Sequence, residues 1–164
     1  MLRNKRIGKS LKEMDELPPP GPKPRRHRGD IMSVEKRSAV MARIRGSDTG
    51  PELLLAEELK KLGVDWEGHV RELPGRPDFV FRQVKVAVFV DGDFWHGHRF
   101  AEWRDKLSEA WEAKIAANIR RDVRNRAALR KLGWKVIRIW EHQVTARPAA
   151  TARRVRRLLQ QQES

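Results

Sequence analysis

Val86-Ala87-Val88-Phe89-Val90-Asp91-Gly92-Asp93-Phe94-Trp95-His96-Gly97-His98 is the stretch that decides how this chain folds. In its first half Val86, Val88 and Val90 alternate with Ala87 and Phe89, and both sets are apolar. A strand that is apolar on both faces is covered on both faces. The segment from Lys85 to Asp91 is therefore expected at the centre of a sheet, with a layer on each side. In its second half the apolar run breaks into carboxylates, glycines, aromatics and histidines. Core packing does not need that chemistry. A single histidine near aromatics is more often a structural hydrogen-bonder, but the cluster as a whole reads better as a functional edge of the sheet.

Working outward, Asp78 to Phe81 predicts a second strand, Trp66 to Leu73 a weak third, and Trp134 to Trp140, with Val136 and Ile137 inside it, a fourth. On the N-terminal side, a helix is expected from about Ser33 to Arg45, capped by Ser33, with Val40, Met41 and Ile44 as its apolar positions. Gly46-Ser47-Asp48-Thr49-Gly50 is turn material, and Pro51 suits the opening of a second helix. That helix runs through Leu53, Leu54, Leu55, Leu59 and Leu62 to Gly63. A long helix covers roughly Leu107 to Leu132, with Ala110, Trp111, Ile115, Ile119, Val123, Ala127 and Leu129 near helical spacing and Gly133 ending it. A final basic helix is expected over Ala146 to Gln161. The order is helix, helix, three-stranded meander, helix, strand: an α/β fold with a mixed β-sheet flanked by helices.

The 164 residues favour one compact domain with tails. Residues 1–29 contain Leu17-Pro18-Pro19-Pro20-Gly21-Pro22-Lys23-Pro24 and then Arg25-Arg26-His27-Arg28, and read as a disordered, basic, Pro-rich arm. Residues 30–145 form the expected domain, and residues 146–164 a basic C-terminal helix or tail. The formal net charge is +14, from 36 Lys+Arg against 22 Asp+Glu, and the tails carry most of the excess. Such a charge points to a polyanion, because phosphates reward Lys and Arg by releasing counterions, but charge alone does not separate DNA from RNA or an anionic membrane. With no Cys there is neither a disulfide nor a thiolate zinc site. No run of apolar residues reaches the length of a membrane span, and no secretory signal is visible, so the expected location is cytoplasmic.

Three stretches carry the chemistry. In Pro74-Gly75-Arg76-Pro77-Asp78-Phe79, a carboxylate follows a proline at the start of a buried strand; alone, this is more often just a turn. Paired with the end of the central strand, it becomes a place where two strands bring oxygen ligands together, as Mg²⁺ requires. Such an ion polarises a phosphodiester and acidifies a bound water, and a nearby histidine can accept the proton. In the long helix, Lys114, Asn118 and Asp122 line one face. A polar helical stripe is ordinarily only solvated, although Trp111 and the arginines at 120, 121, 124 and 126 would suit a phosphate-facing surface.

Taken in order, Gly75-Arg76-Pro77-Asp78-Phe79, Phe94-Trp95-His96, Trp111…Lys114-Ile115…Asn118…Arg121-Asp122 and Gly133-Trp134…Trp140-Glu141 resemble the very short patch repair DNA mismatch endonucleases. Arg37-Ser38…Met41…Ile44 followed by Asp48-Thr49…Glu52 fits the same pattern, so the resemblance runs from about Ser33 to Glu141. It implies a restriction-endonuclease-like fold and an enzyme that nicks double-stranded DNA beside a T:G mismatch. Carried over residue by residue, Asp78 would bind Mg²⁺, the backbone carbonyl of Val90 would supply a second metal contact, and His96 would act as general base or orient the attacking water. Asp122 would support His96, and Glu52 would lie near the metal.

By the same resemblance Phe94, Trp95 and Trp111 would wedge into the duplex while Met41 and Ile44 enter from the minor groove. Lys114 and Arg121 would face the DNA. The enzyme would act as a monomer. A wedge costs least where the step is already mismatched, which agrees with the implied role. The chain departs from the family twice. The family's structural zinc uses cysteines, whereas the matching positions here are Asp93, His98, Phe100 and His142; Phe binds no metal, which argues against a structural zinc. Asp91 stands where well-known members carry a histidine, and is a further catalytic candidate. Two other functions fit the residues: a restriction-associated or general damage nuclease of the same fold, and a nucleic-acid-binding module that has lost catalysis.

Overall fold

The computed structural model describes residues 48–163. The helix expected over Ser33 to Arg45, with Met41 and Ile44, lies outside the described residues, as does the arm expected over residues 1–29.

Helix α1 spans Gly50–Lys61, with Pro51 in its first turn and Glu52 at its positive end. It closes on Gly63, whose N–H donates to the Lys60 carbonyl at 2.9 Å while Val64 N–H reaches back to Leu59 at 3.1 Å. Then come β1 (Glu67–Gly68), β2 (Phe79–Phe81) and β3 (Val86–Asp91). A short helix α2 (Phe100–Trp103) and a 3-10 turn (Arg104–Lys106) lead into the long helix α3 (Glu109–Lys131). The chain finishes with β4 (Lys135–Trp140), α4 (Glu141–Ala146) and α5 (Pro148–Glu163).

The sheet runs β1-β2-β3-β4. The first three strands are an antiparallel meander, with Phe79 opposite Val88 and Phe81 opposite Val86. β4 lies parallel to β3, with Val88 opposite Ile137 and Asp91 opposite Trp140, because α3 carries the chain back over the sheet. The expected mixed sheet flanked by helices is therefore present, with β3 flanked on both edges.

Alternation along the strands sorts side chains between two layers. Val86, Val88 and Val90 share a core with Phe79, Phe81, Ile137 and Ile139 of the sheet, Leu55 and Leu59 of α1, Val144 of α4, and Ala152, Val155 and Leu159 of α5. The opposite face carries Val80 and Ala87, and the same alternation turns Asp91 and Arg138 to it. Ile115 and Leu129 are the buried residues of α3, which lies against β4. One face thus builds the core and the other turns charge toward α3.

Several local expectations change. The weak strand over Trp66 to Leu73 shrinks to two residues, because turns follow it and His69 adopts a left-handed backbone (φ 50°). The Phe100–Lys106 segment, read as connection, coils into two short helical turns. Val123 lies on α3 but is 52% exposed, and Leu53 and Leu54 face outward from α1. Residues 148–163 form a helix docked on α1, its arginines outward and Ala152, Val155 and Leu159 inward. No helix among the described residues is long and apolar enough to cross a membrane.

Leu55 is fully buried while Leu53 is 51% exposed, two residues apart on one helix. Leu55→Ala should therefore cost about 2–5 kcal/mol of unfolding free energy, and Leu53→Ala less than about 0.5 kcal/mol. Urea denaturation of the two variants checks the difference.

Candidate active site

Asp78 enters the site through the start of β2. Its N–H donates to the Val88 carbonyl at 3.0 Å, and its Oδ2 accepts the Val90 N–H at 2.7 Å. The antiparallel pairing thus pins the carboxylate against the backbone of β3. In an extended strand the N–H and carbonyl of one residue point to the same edge, so the Val90 carbonyl is turned to the Asp78 side as well. Preceding Asp78, Pro77 is buried. The other Asp78 oxygen, Oδ1, lies 4.0 Å from Nδ1 of His69.

Glu52, in the first turn of α1, comes to the same place. It is buried, and its two oxygens accept the Asp48 N–H at 2.9 Å and the Thr49 hydroxyl at 2.7 Å. Glu52 thus ties the Asp48 backbone and the N-cap hydroxyl back onto the first turn, while the Thr49 side chain makes no cap bond to the helix backbone. Glu52 therefore holds α1 and at the same time sets a negative charge close to Asp78. Burial first, and the Glu52 charge second, push the Asp78 carboxyl up to about 7; the Val90 N–H and the His96 charge pull the other way without prevailing. A buried carboxylate driven toward neutrality by its neighbours is a place where a divalent cation is welcome. The donor set, carboxylate oxygen plus backbone carbonyl, fits the oxygen preference of Mg²⁺.

His96 lies in the segment that follows β3. Its Nδ1 is 2.6 Å from Asp122 Oδ2 on α3 and 3.6 Å from Asp91 Oδ1. Burial alone lowers its basicity, but the Asp122 hydrogen bond and the charges of Asp91 and Asp122 outweigh burial, and the imidazole ends above its ordinary value. Burial likewise raises Asp122, yet the His96 hydrogen bond and charge, helped by Arg121, hold it below the usual carboxylate range. The pair is a histidine oriented by an acid. Asp91, the last residue of β3, is buried and hydrogen-bonded by Arg138 Nε, with Arg126 at 4.0 Å. It faces His96 as a charge already matched by arginine.

The His96 segment is held from several sides. Arg138 donates to the His96 carbonyl at 3.1 Å and stacks its guanidinium on Trp140, 3.8 Å from the ring centroid. Asn118 donates to the Trp95 carbonyl at 3.3 Å. Gly97 (φ 69°) passes so close to α3 that a Cβ there would sit 2.4 Å from Ile119 Cδ1. Only glycine combines that backbone with that approach.

Beside His96 the aromatic residues form one cluster. Phe94 stacks on Trp103 at 5.4 Å between centroids and meets Trp95 and Trp111 edge-on at 5.2 and 6.0 Å. Lys114 sets its ammonium 5.2 Å from the Trp95 centroid and 5.1 Å from that of Trp111. Arg121 is exposed next to Asp122. The rim is therefore aromatic and cationic together.

A second cluster gathers Asp93, His98 and His142, whose potential ligand atoms all lie within 4.8 Å of one another. His142 Nδ1 is 2.6 Å from Asp93 Oδ1, and the two imidazoles are 4.6 Å apart. Three of the four positions considered for zinc in the sequence do converge.

Of the residues singled out in the sequence, Asp78, Glu52, Asp91 and His96 act on one another electrostatically, and Asp122 joins through His96. Met41 and Ile44 lie outside the described residues. Arg138, Trp103 and His69 were not anticipated. An arginine inside the otherwise apolar run from Val136 to Trp140 was the available signal for the first; the other two gave none.

A carboxylate pinned across two strands of such a sheet, next to an acid-oriented histidine, places the chain among the restriction-endonuclease-like nucleases. A profile of the family described as DNA mismatch endonuclease Vsr matches residues 29–102. The chain is 36% identical over 137 residues to the type II nicking enzyme V.NmeDIP of Neisseria meningitidis serogroup C, covering 82% of this chain and 93% of that one. It is 36% identical over 126 residues to the type II nicking enzyme V.XorIIP of Xanthomonas oryzae pv. oryzae, covering 76% and 93%. With the DNA mismatch endonuclease Vsr of Escherichia coli it shares 35% identity over 124 residues, covering 74% and 80%. The chain belongs to the Vsr DNA mismatch endonuclease family, and is a DNA endonuclease, a phosphodiester hydrolase.

The Asp122 contact makes a direct prediction. The His96 imidazole should titrate above 6.5, and Asp122→Asn should lower its pKa by removing the negative charge that sustains the cation. Imidazole chemical shifts followed against pH test this; an unchanged midpoint in the variant would contradict it.

Proposed function

We propose that this enzyme nicks one strand of double-stranded DNA beside a T:G mismatch, as in very short patch repair, with Mg²⁺ as its cofactor. The observation that carries the reading is Asp78: a carboxylate fixed by the Val90 N–H at 2.7 Å, buried beside Glu52 and pushed up to about 7. Asp78 and the Val90 carbonyl would hold the ion, with Glu52 at its side. When bound, the ion supplies charge stabilisation at the scissile phosphate and a more acidic water.

The chain's own residues supply the rest. With Nδ1 engaged by Asp122, neutral His96 carries its proton on that nitrogen and presents Nε2 as the base. It takes the proton of the attacking water as the new P–O bond forms. The bond to the departing backbone oxygen breaks, and that oxygen takes a proton from solvent water while His96 later returns its own to solvent. Asp122 keeps the ring in the productive tautomer, and Asp91, balanced by Arg138, acts through His96 rather than on the phosphate. Because His96 must be neutral, the nicking rate should rise with pH through a value above 6.5.

Phe94, Trp95 and Trp111 would enter the duplex at the mismatch, with Met41 and Ile44 from the minor groove. A mismatched step is the least costly to unstack, so an apolar wedge discriminates by itself. Lys114 and Arg121 would meet phosphates, and the enzyme would act as a monomer. A second reading, a restriction-associated nuclease with another target, is favoured by the names of two relatives, which are type II nicking enzymes.

The test is strand nicking of a duplex with one T:G mismatch beside a matched T:A duplex, in Mg²⁺ and in EDTA, with Asp78→Ala alongside. The expected result is Mg²⁺-dependent nicking of the mismatched duplex alone, reduced roughly 100-fold or more in the variant. Equal nicking of both duplexes would favour the second reading. No nicking in either would overturn the mismatch reading.

A further inference from the structure

The outward face of α4 and α5 plays no part in the reading above. From His142 to Gln162 the chain holds five arginines and no acidic residue. All five, Arg147, Arg153, Arg154, Arg156 and Arg157, are exposed. Among the described residues none of them forms an ion pair with a carboxylate. Exposed arginines elsewhere are matched: Arg82 by Glu67 at 2.6 Å, Arg104 by Glu112 at 2.6 Å and Arg121 by Asp122 at 3.2 Å. A solvated helix face ordinarily mixes both signs of charge. Like charges three or four residues apart repel, as Arg157 does Arg154 and Arg153. A face of one sign is unfavourable until an anion meets it.

Shape adds to charge. A groove of about 420 Å³ lies between α4 and the first turns of α5, with His142, Arg147, Thr151 and Arg154 among its walls. Its frame is fixed, because the Thr151 hydroxyl lies 3.1 Å from the Gln143 carbonyl and 2.9 Å from that of Arg147. His142 also lines a second groove, of about 430 Å³, together with Asp93, Phe94 and Trp103. The carboxylates beside that one are matched, Asp93 by His142 and Glu102 by Arg99. The surface therefore leads from the aromatic rim, past His142, to the arginines. It does so at the edge of the sheet where β3 ends at Asp91, since α4 begins directly after Trp140.

We propose that this groove and its arginines hold the phosphate backbone of the DNA substrate to one side of the nicked bond. Arg147 and Arg154 line the contact, and Arg153 and Arg157 extend it along α5. The partner follows from charge. A duplex carries one negative charge per roughly 1.7 Å of its axis, and each arginine that meets a phosphate releases condensed counterions. Such a contact reads no bases; it sets affinity and register. An anionic membrane offers charge as well, but it also rewards apolar side chains that can insert. α5 keeps Ala152, Val155 and Leu159 in the core and presents only its basic side. The proposal rests on DNA as the substrate, and on neither the mismatch nor the metal.

Fluorescence anisotropy of the whole chain on a matched duplex in EDTA, over a series of KCl concentrations, tests the proposal. Arg147→Ala/Arg154→Ala should weaken binding about tenfold at physiological salt and reduce the slope of log affinity against log salt by about 2. Arg153→Ala/Arg157→Ala, exposed on α5, serves the same purpose if the first variant does not fold. Arg147→Lys/Arg154→Lys keeps the charge and should hold the parent slope. Lys131→Ala/Lys135→Ala removes as much charge near the start of β4, away from Asp91, and should change affinity less than about twofold. Trimming the duplex stepwise from one end should bring the parent down to the affinity of the alanine variant, which is itself indifferent to that flank. Unchanged affinity and slope in the arginine variants, or an equal loss in the lysine variant, overturns the proposal. So does unchanged duplex binding with lost adsorption to phosphatidylserine vesicles, which would make α5 a membrane contact. With a matched duplex and no free metal, failure of the mismatch reading leaves this result untouched.

Discussion

Everything at the mouth of this sheet follows from burying one carboxylate. Asp78 is fixed to the β3 backbone by the Val90 N–H and is mostly removed from water, with Glu52 and Asp91 both adding negative charge and driving it up to about 7. Among the described residues, no lysine or arginine forms an ion pair with Asp78; those of the neighbourhood, Arg138 and Arg126, are spent on Asp91. An interior that concentrates carboxylates in this way is unfavourable by itself and is relieved by a small, highly charged ion. In the proposed reaction, that charge is what the bound ion would answer.

Holding such a site requires a rigid frame, and the fold supplies one from both layers. The apolar face of β2, β3 and β4 is closed by α1, α4 and α5, so the strands cannot shift register without exposing a whole row of buried side chains. On the other face α3 brings Asp122 to His96, Asn118 to the Trp95 backbone and Ile119 against Gly97. Arg138 joins the two, since it neutralises Asp91, holds the His96 carbonyl and stacks on Trp140. Phe94 and Trp95 of the aromatic rim lie on the same segment as His96, and Trp111 meets them from α3. A DNA duplex opened at Phe94 and Trp95 would thus be registered against the catalytic groups by only a few bonds of backbone.

Much of this was legible in the chain itself. The doubly apolar run from Val86 to Val90 placed β3 at the centre of the sheet, because no half-solvated strand tolerates that pattern. His96 stood out within a polar cluster that a core does not need, whereas Asp78, alone read as a turn, gained weight only beside the end of the central strand. Other features were not legible. The strand expected from Trp66 to Leu73 was overruled by turn geometry around His69, and the two short turns after Phe100 have too few residues for a periodic pattern. Val123 fits the helical spacing of α3 yet is exposed, since only part of that helix meets the sheet. The helix expected over Ala146 to Gln161 forms as α5, but its packing on α1 was not legible, because an amphipathic basic face and a solvated tail have similar compositions. His69 and Arg138 act through partners far away in sequence, and periodicity says nothing about such contacts.

The most direct test of the account is the titration of the Asp78 carboxyl, followed by carbon chemical shift in EDTA and again in saturating Mg²⁺. The account predicts a midpoint of about 7 without the ion. With Mg²⁺ the midpoint should fall, because the cation favours the ionised form. A carboxyl that titrates near its ordinary value of 3.8 in both solutions would show that Asp78 is neither strained by its neighbours nor a ligand. That result would contradict the reading on which the site is built.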